Sequence, residues 1–449
     1  MTTVVEASQG TGRTSRVRRV LEVRSLPDTP SWLVVASIIF LKPNIAGETQ
    51  ILVGFALIGA AATIELVRRC STPLDPDESS RAMNVVGGLV LAAYLAVIVK
   101  SLLIDPLSFL TIALQDLVLT AGTTVAFVVV AQNRRSRTQI ARGFVLLVAL
   151  ACASYAVTAF MWAGLGLGFG EVTRVTVGNF GTQSVFFPFT TTSETQEVLG
   201  LEFPRFVGFG REPGWMAMYC AAAFFLADAA GLRHRLLKPV LLLGLLGCVS
   251  TAGFGVFVVV WAFDRTLRPR GGITLVNYGR QIVGLVTVPV ALWLATDAPV
   301  LGLSAKKTQN GQSLNDREDA IAAGLRALTS QPWGGRGTAA QSGINLVSDV
   351  AVDGIVFVVL VIAALLVPVA MQRRVGRGSC VAFVVFLTLL LSQPAFSSVW
   401  AFCLVAVAIG CDGTTSTDLV RLGHRRRRER LEHRPIGPMS GSAHQGGER

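Results

Sequence analysis

Histidine is scarce and poorly placed for chemistry. The four in 449 residues, His234, His424, His433 and His444, fall in one short basic turn and in the C-terminal tail. That placing excludes a histidine base or a histidine-held metal from the long loops described below. Neither loop contains any of the seven cysteines, so no disulfide framework is expected. Cys152, Cys220 and Cys403 stand inside apolar runs, where they read as small packing residues. A Walker loop, a G-x-G-x-x-G after a strand and a G-x-S-x-G elbow are also missing, which removes nucleotide hydrolysis and the serine-hydrolase elbow. Charge is sparse as well, at 15% of residues, against about a quarter in soluble domains.

What is abundant is apolar sequence. Hydrophobic residues make up 51% of the chain and the mean hydropathy is +0.56. They occur in runs of the length that crosses about 30 Å of hydrocarbon: Met83 to Leu103, Leu107 to Ala131, Phe144 to Leu167, Gln281 to Thr296 with its flanks, and Ile344 to Ala370. Runs of this kind are helices, because an open sheet leaves its backbone unsatisfied in lipid. The expected fold is therefore all-α, a polytopic transmembrane bundle. The first thirty residues are polar, and no A-x-A site follows the first apolar run, Trp32 to Leu41, so no cleavable signal peptide is expected.

Lys and Arg give the expected topology. Arg13, Arg16, Arg18 and Arg19 hold residues 1–29 in the cytoplasm. Further cytoplasmic turns are marked by Arg68, Arg69 and Arg81, by Arg134 to Arg142, by Arg233, Arg235 and Lys238, and by Arg373, Arg374 and Arg377. Pro239 to Phe263 resembles one span, yet Arg265, Arg268 and Arg270 follow it on what would then be the wrong side. A break at Ser250–Gly255 into two short helices that go up and come back restores the parity. The result is about twelve segments over residues 30–411, both termini inside, and two long external loops at about 168–210 and 299–343. Residues 412–449 form a basic tail, with Arg425 to Arg428 consecutive. That tail fits a disordered anchor on anionic lipid, and the net charge of +12, carried by such segments, gives no reason to expect nucleic acid.

Chemistry is thus expected on the outer loops, where the cations are Arg174, Arg205, Arg211, Lys306, Lys307, Arg317, Arg326 and Arg336. Guanidinium groups bind phosphate in bidentate fashion. Arg174 and Arg326 also fit a simpler role as solvated charges paired with loop carboxylates such as Glu194, Glu197 and Glu202. Arg317 differs. Residues 313–330 read as a helix opened by a Ser313–Asp316 capping box, with Ile321, Leu325 and Leu328 as its buried stripe, and Arg317 precedes Ile321 by one turn. Gly334, Gly335 and Gly337 then allow a turn with exposed amides, and the segment Arg205 to Tyr219 runs from charge and glycine straight into an apolar helix.

Arg205, Gly208 and Glu212-Pro213 with Ala217, followed by Arg317, Pro332-Trp333-Gly334-Gly335, Asn345 and Asp353-Gly354, resemble in order and spacing the signature of the O-antigen polymerase and ligase family of bacterial membrane proteins. The resemblance covers about residues 205–370. Ile344 stands where ligases of that family carry a histidine, and the arginine of their Ser-Arg turn is absent near Thr251-Ala252. Both departures favour a polymerase of lipid-linked repeat units.

The resemblance implies a GT-C-like fold in the bacterial cytoplasmic (inner) membrane and metal-independent glycosyl transfer without a cofactor. The donor would be a polyprenyl-diphosphate-linked glycan and the acceptor a second lipid-linked glycan, with a flippase or a chain-length regulator as partner. Arg205 and Arg317 are expected to hold the diphosphate, with Arg211, Arg336, Asn345 and Gly335 as further substrate-binding candidates. Glu212 is expected to take the acceptor hydroxyl's proton, or else to serve only as a helix N-terminal carboxylate favoured by the dipole. A ligase is the alternative within the family. A twelve-helix transporter, with Glu65 and Asp116 coupling protons, and a non-enzymatic assembly subunit are alternatives outside it.

Overall fold

The computed structural model describes residues 28–41, 50–71, 78–103, 107–165, 171–176, 182–187, 190–198, 201–267, 286, 311–333, 344–372, 376–395 and 400–412. Within these the chain is mostly helical. Helices α1 (Thr29–Phe40), α2 (Gln50–Ser71) and α3 (Glu78–Leu103) come first. Next are α4 (Leu107–Asp116), a π-helical stretch over Leu117–Gly122, α5 (Thr123–Ala131) and the long α6 (Arg134–Leu165). Among the described residues, four helical stretches are long and apolar enough to cross a membrane: Gln50–Cys70, Ser79–Leu103, Ala113–Ala131 and Arg134–Trp162. The expected run Gln281 to Thr296 apart from Val286, the basic N-terminal segment through residue 27 and the tail from residue 413 lie outside the described residues.

The all-α expectation and the reading of 168–210 as a plain loop are both corrected. Strands β1 (Glu171–Thr176), β2 (Thr182–Phe186), β3 (Thr190–Val198) and β4 (Leu201–Phe206) form one antiparallel sheet in sequential order. Threonine is frequent in these strands, as its β-branched side chain favours. The sheet sits on the end of α6. There the Tyr155 hydroxyl donates to the Pro204 carbonyl at 3.1 Å and its ring stacks on Phe206, while Ser154, Thr158 and Thr190 share hydroxyl hydrogen bonds.

Beyond the sheet, α7 (Pro213–Ala229) is followed by α8 (Leu237–Gly247) and α9 (Thr251–Leu267). A break is present, but at Cys248–Ser250, where Val249 takes a positive φ of 46°; of the expected Ser250–Gly255, residues 251–255 are already part of α9. The chain does come back. Lys238 at the start of α8 pairs with Asp228 and lies within electrostatic reach of Asp264 near the end of α9. Arg377 also pairs with Asp228, so these termini gather at one end of the bundle, the basic end. Arg68 belongs there too, since its partner Asp28 accepts from Ser136 near the start of α6, and Arg142 of α6 donates to the Ala230 carbonyl at the end of α7.

The remaining helices are α10 (Gly311–Ser330), α11 (Leu346–Asp353), α12 (Ile355–Ala370), α13 (Arg377–Leu391) and α14 (Trp400–Asp412). From Trp400 to Cys411 every residue of α14 is buried, which makes it the central post of the bundle. The single span expected over Ile344 to Ala370 is corrected: Gly354, at φ 88°, ends α11 and redirects the chain into α12. A left-handed backbone at that point is glycine's to supply. The Ser313 capping box is also corrected, since α10 already begins at Gly311.

A polar mouth at the sheet end

The opposite end of the bundle, under the sheet, carries most of the residues that the sequence singles out. Its core is the turn between β4 and α7. Gly208 has φ 52° and Arg211 has φ 69°, so the backbone reverses sharply within four residues. At Gly210 a Cβ would stand 2.7 Å from the Met216 amide nitrogen, so the turn presses directly on the first turn of α7. Gln183 of β2, itself 1% exposed, donates to the Arg211 carbonyl at 2.6 Å and ties the turn to the sheet. A left-handed arginine is costly, by about 1–3 kcal/mol, and here the surrounding glycines and the Gln183 bond hold it in place.

This turn sets Glu212 as the residue preceding α7, in extended conformation, with Pro213 at the first helical position. Its side chain makes no capping bond. Instead its Oε2 accepts from Gln393 Nε2 at 3.3 Å, across 181 positions of sequence. Glu212 thus stands at the helix end, where the dipole favours a carboxylate, and its side chain bonds across to Gln393. Arg205 on β4 and Arg211 on the turn are both half-buried, whereas Arg174 is 70% exposed and pairs with Glu171 on its own strand. The solvated role expected for Arg174 is what the structure gives it, although its partner is none of the loop acids expected.

Gln393 follows α13 in the segment Ser392–Ala395, and the same segment meets α11. The Ala395 amide donates to Asp349 Oδ2 at 2.9 Å. Asp349 is 0% exposed, and burial pushes its carboxyl up from the usual carboxylate range, with the Ala395 amide opposing. One turn earlier, Asn345 caps α11: its side chain accepts from the Ser348 amide at 2.9 Å, and Ser348 Oγ accepts from the Asn345 amide at 2.9 Å. Glu212, Gln393, Asp349 and Asn345 are thus joined through one short segment. Asp349 Oδ1, Asn345 Nδ2 and Gln393 Oε1 have no hydrogen-bond partner among the described residues.

Arg317 stands one layer away. Helix α10 lies on α11 so closely that a Cβ at Gly324 would run into the Val347 carbonyl. Seven residues make almost two whole turns, so Arg317 shares the Gly324 face, about 10 Å along the axis. It is half-buried while Asp316, Glu318 and Asp319 around it are exposed. The expected stripe is corrected, because Leu325 and Leu328 are 53% and 42% exposed. Small residues carry the packing face, with Gly324 buried and Ala320 and Ala327 half-buried. Arg336 and Gly335 lie outside the described residues.

Gln393 and Asp349 were missed in the sequence. Asp349 gave a signal, a carboxylate inside an apolar stretch. Gln393 gave only a weaker one, a polar pair ending an apolar helix. Behind them Tyr94, fully buried, lies within electrostatic reach of Asp116, Asp349 and Asp353, and Lys100 Nζ donates to the Val352 carbonyl.

One substitution isolates the Glu212–Gln393 contact. A Cβ at Gly214 would stand closer to Gln393 Nε2 than two such atoms can approach. Alanine is about 1 kcal/mol better than glycine within a helix, so Gly214→Ala should accumulate and melt like the parent. It should nevertheless lose activity, because Gln393 must swing off the carboxylate. Unchanged turnover in Gly214→Ala would show that this contact has no part in function.

Fold and mouth together define a helical membrane protein with a buried, carboxylate-bearing polar site at one end. No family model, no curated protein and no solved structure matches the chain.

Proposed function

We propose that the chain polymerises lipid-linked oligosaccharide repeat units, by glycosyl transfer from a polyprenyl-diphosphate donor at the outer face of a bacterial cytoplasmic membrane. The observation that carries the reading is Glu212. It makes no capping bond to its own helix, is steadied by Gln393, and follows a turn whose Arg205 and Arg211 are half-buried. A carboxylate set beside cations at a bundle end suits a reaction in which an acceptor hydroxyl loses a proton and a diphosphate leaves.

In this reading Glu212 takes the acceptor's proton. Arg205, Arg211 and Arg317 neutralise the diphosphate, with Arg336 as a further ligand, and Asn345 and Gly335 line the bound glycan. The scaffold is a GT-C-like bundle of about twelve segments with both termini inside. The gathering of Lys238, Asp264, Asp228 and Arg377 at one end supports that parity. The sheet end then faces outward, where a flippase would deliver donor and a chain-length regulator would act. A ligase would use the same donor with another acceptor. The carrier alternative is weakened at Glu65, whose buried carboxylate already pairs with Arg68 and Arg69.

Cells lacking the protein should accumulate a lipid-linked single repeat unit and no polymer. The wild-type chain should clear that intermediate and Glu212→Gln should not. Normal polymer in the deletion strain would remove the proposal.

A further inference from the structure

Helix α10 has three faces, and only one of them is accounted for by packing. At about 100° per residue, Ala320, Gly324 and Ala327 form the face set on α11. Asn315, Asp316, Asp319 and Arg326 spread over the exposed polar side, while Glu318, two turns before Leu325, closes the N-terminal end of the remaining face. Between the two runs a third line, Ile321, Leu325 and Leu328. Leu325 and Leu328 are 53% and 42% exposed, and just beyond the helix Trp333 is 73% exposed. That makes a row of large apolar side chains on a helix that has already buried its packing face.

The depth of this row is fixed by covalent and hydrogen-bonded neighbours. The Ile355 amide, which opens α12, donates to the Pro332 carbonyl at 3.0 Å. The Trp333 carbonyl lies 3.3 Å from the Cβ position of Gly354. Trp333 therefore stands level with the first residue of an apolar helix whose own outward residues, Val356 and Val359, are exposed at 38% and 55%. The apolar row of α10 thus leads to the first turn of α12, whose exposed residues are apolar as well.

We infer that α10 is an interfacial helix, lying in the surface of the leaflet at the sheet end with Leu325, Leu328 and Trp333 immersed and its polar side in water. Tryptophan at the edge of a span is the usual anchor at that depth. An apolar helix face of this kind sinks about 5–10 Å, into the boundary between headgroups and acyl chains. Apolar immersion drives the contact, since the exposed charges of the helix are three acids against Arg326 and draw nothing from anionic lipid. Arg317 falls on the seam between the packed face and the immersed row, which puts its guanidinium at headgroup level. Resting on the proposed function, that position would meet the diphosphate of a lipid-anchored donor while its polyprenyl tail stays in the bilayer.

The test is a depth measurement on the full chain in phosphatidylcholine nanodiscs. Cys70, the one exposed cysteine, is first replaced by serine. Leu325→Cys or Arg326→Cys is then labelled with bimane. A nitroxide carried on the acyl chain near the headgroup should quench the label at 325 and leave the label at 326 largely untouched. Aqueous iodide should do the reverse, and raising the salt should leave the ratio unchanged. Equal iodide quenching at both positions would overturn the inference by placing the helix in water. A label at 325 shielded from both quenchers, with energy transfer to a second labelled copy, would overturn it in favour of a protein interface. Neither substrate nor turnover enters the measurement, so its failure leaves the glycosyl-transfer reading standing, and the reverse holds equally.

Discussion

Arg317→Lys should lower kcat/KM about tenfold to a hundredfold while the protein still inserts and accumulates. Lysine keeps the charge and loses the planar fork, so a diphosphate held through two parallel N–H bonds would be held through one. Hydrogen bonds to charged groups contribute about 1.5–3 kcal/mol each, which converts to that range. The structural reason for choosing Arg317 is its difference from its neighbours: it is half-buried on the face that carries Gly324, and Asp316, Glu318 and Asp319 are exposed. Arg174→Ala is the matched control, since Arg174 is 70% exposed and engaged with Glu171 on the same strand. An exposed pair of that kind contributes at most about 1 kcal/mol. Equal activities for the parent, Arg317→Lys and Arg317→Ala would take Arg317 out of the site.

The second large effect is expected at Glu212. Glu212→Gln preserves shape and can still hydrogen-bond Gln393, so folding should be unaffected. It cannot accept a proton, and general-base catalysis contributes about 10²–10⁴-fold. The loss should appear in kcat with KM little changed, because a proton acceptor acts in the transition state whereas a diphosphate ligand acts in both states. A rise in KM at constant kcat would reassign Glu212 to substrate binding. Arg205 provides the contrast, since Arg205→Ala should weaken donor binding as well as turnover.

Long apolar runs read well from sequence because the length of a membrane helix follows from the bilayer's thickness and the helix's fixed rise per residue. The helix after Glu212-Pro213 and the break near Ser250 were legible for the same kind of reason: proline opens a helix, and small residues with a parity conflict mark its interruption. The sheet was not legible, because Glu171–Phe206 lacks clean apolar alternation and its burial comes from docking on Tyr155 and Ser154. In α10 the large leucines drew attention and the small residues did the packing, since Gly324 lets the helix approach α11 closely. The break at Gly354 was hidden from the hydropathy pattern by the apolar sequence on both sides, although the resemblance marks Asp353-Gly354 as a place where a helix opens. At the mouth, Glu212 and Asn345 were readable as types at special positions. Their connection was not, because it passes through Gln393 and Ala395, which belong to no motif and meet their partners across 181 and 46 positions.

The most direct test of the central claim uses purified full-length protein in a bilayer with lipid-linked repeat units as its only substrate. Polymer should form with a chelator present, without nucleotide and without an imposed proton gradient, and free polyprenyl diphosphate should appear as each linkage is made. Glu212→Gln in the same bilayer should leave the repeat units largely unlinked. Strict dependence on a divalent ion, or gradient-driven uptake into vesicles with no polymer made, would contradict the account.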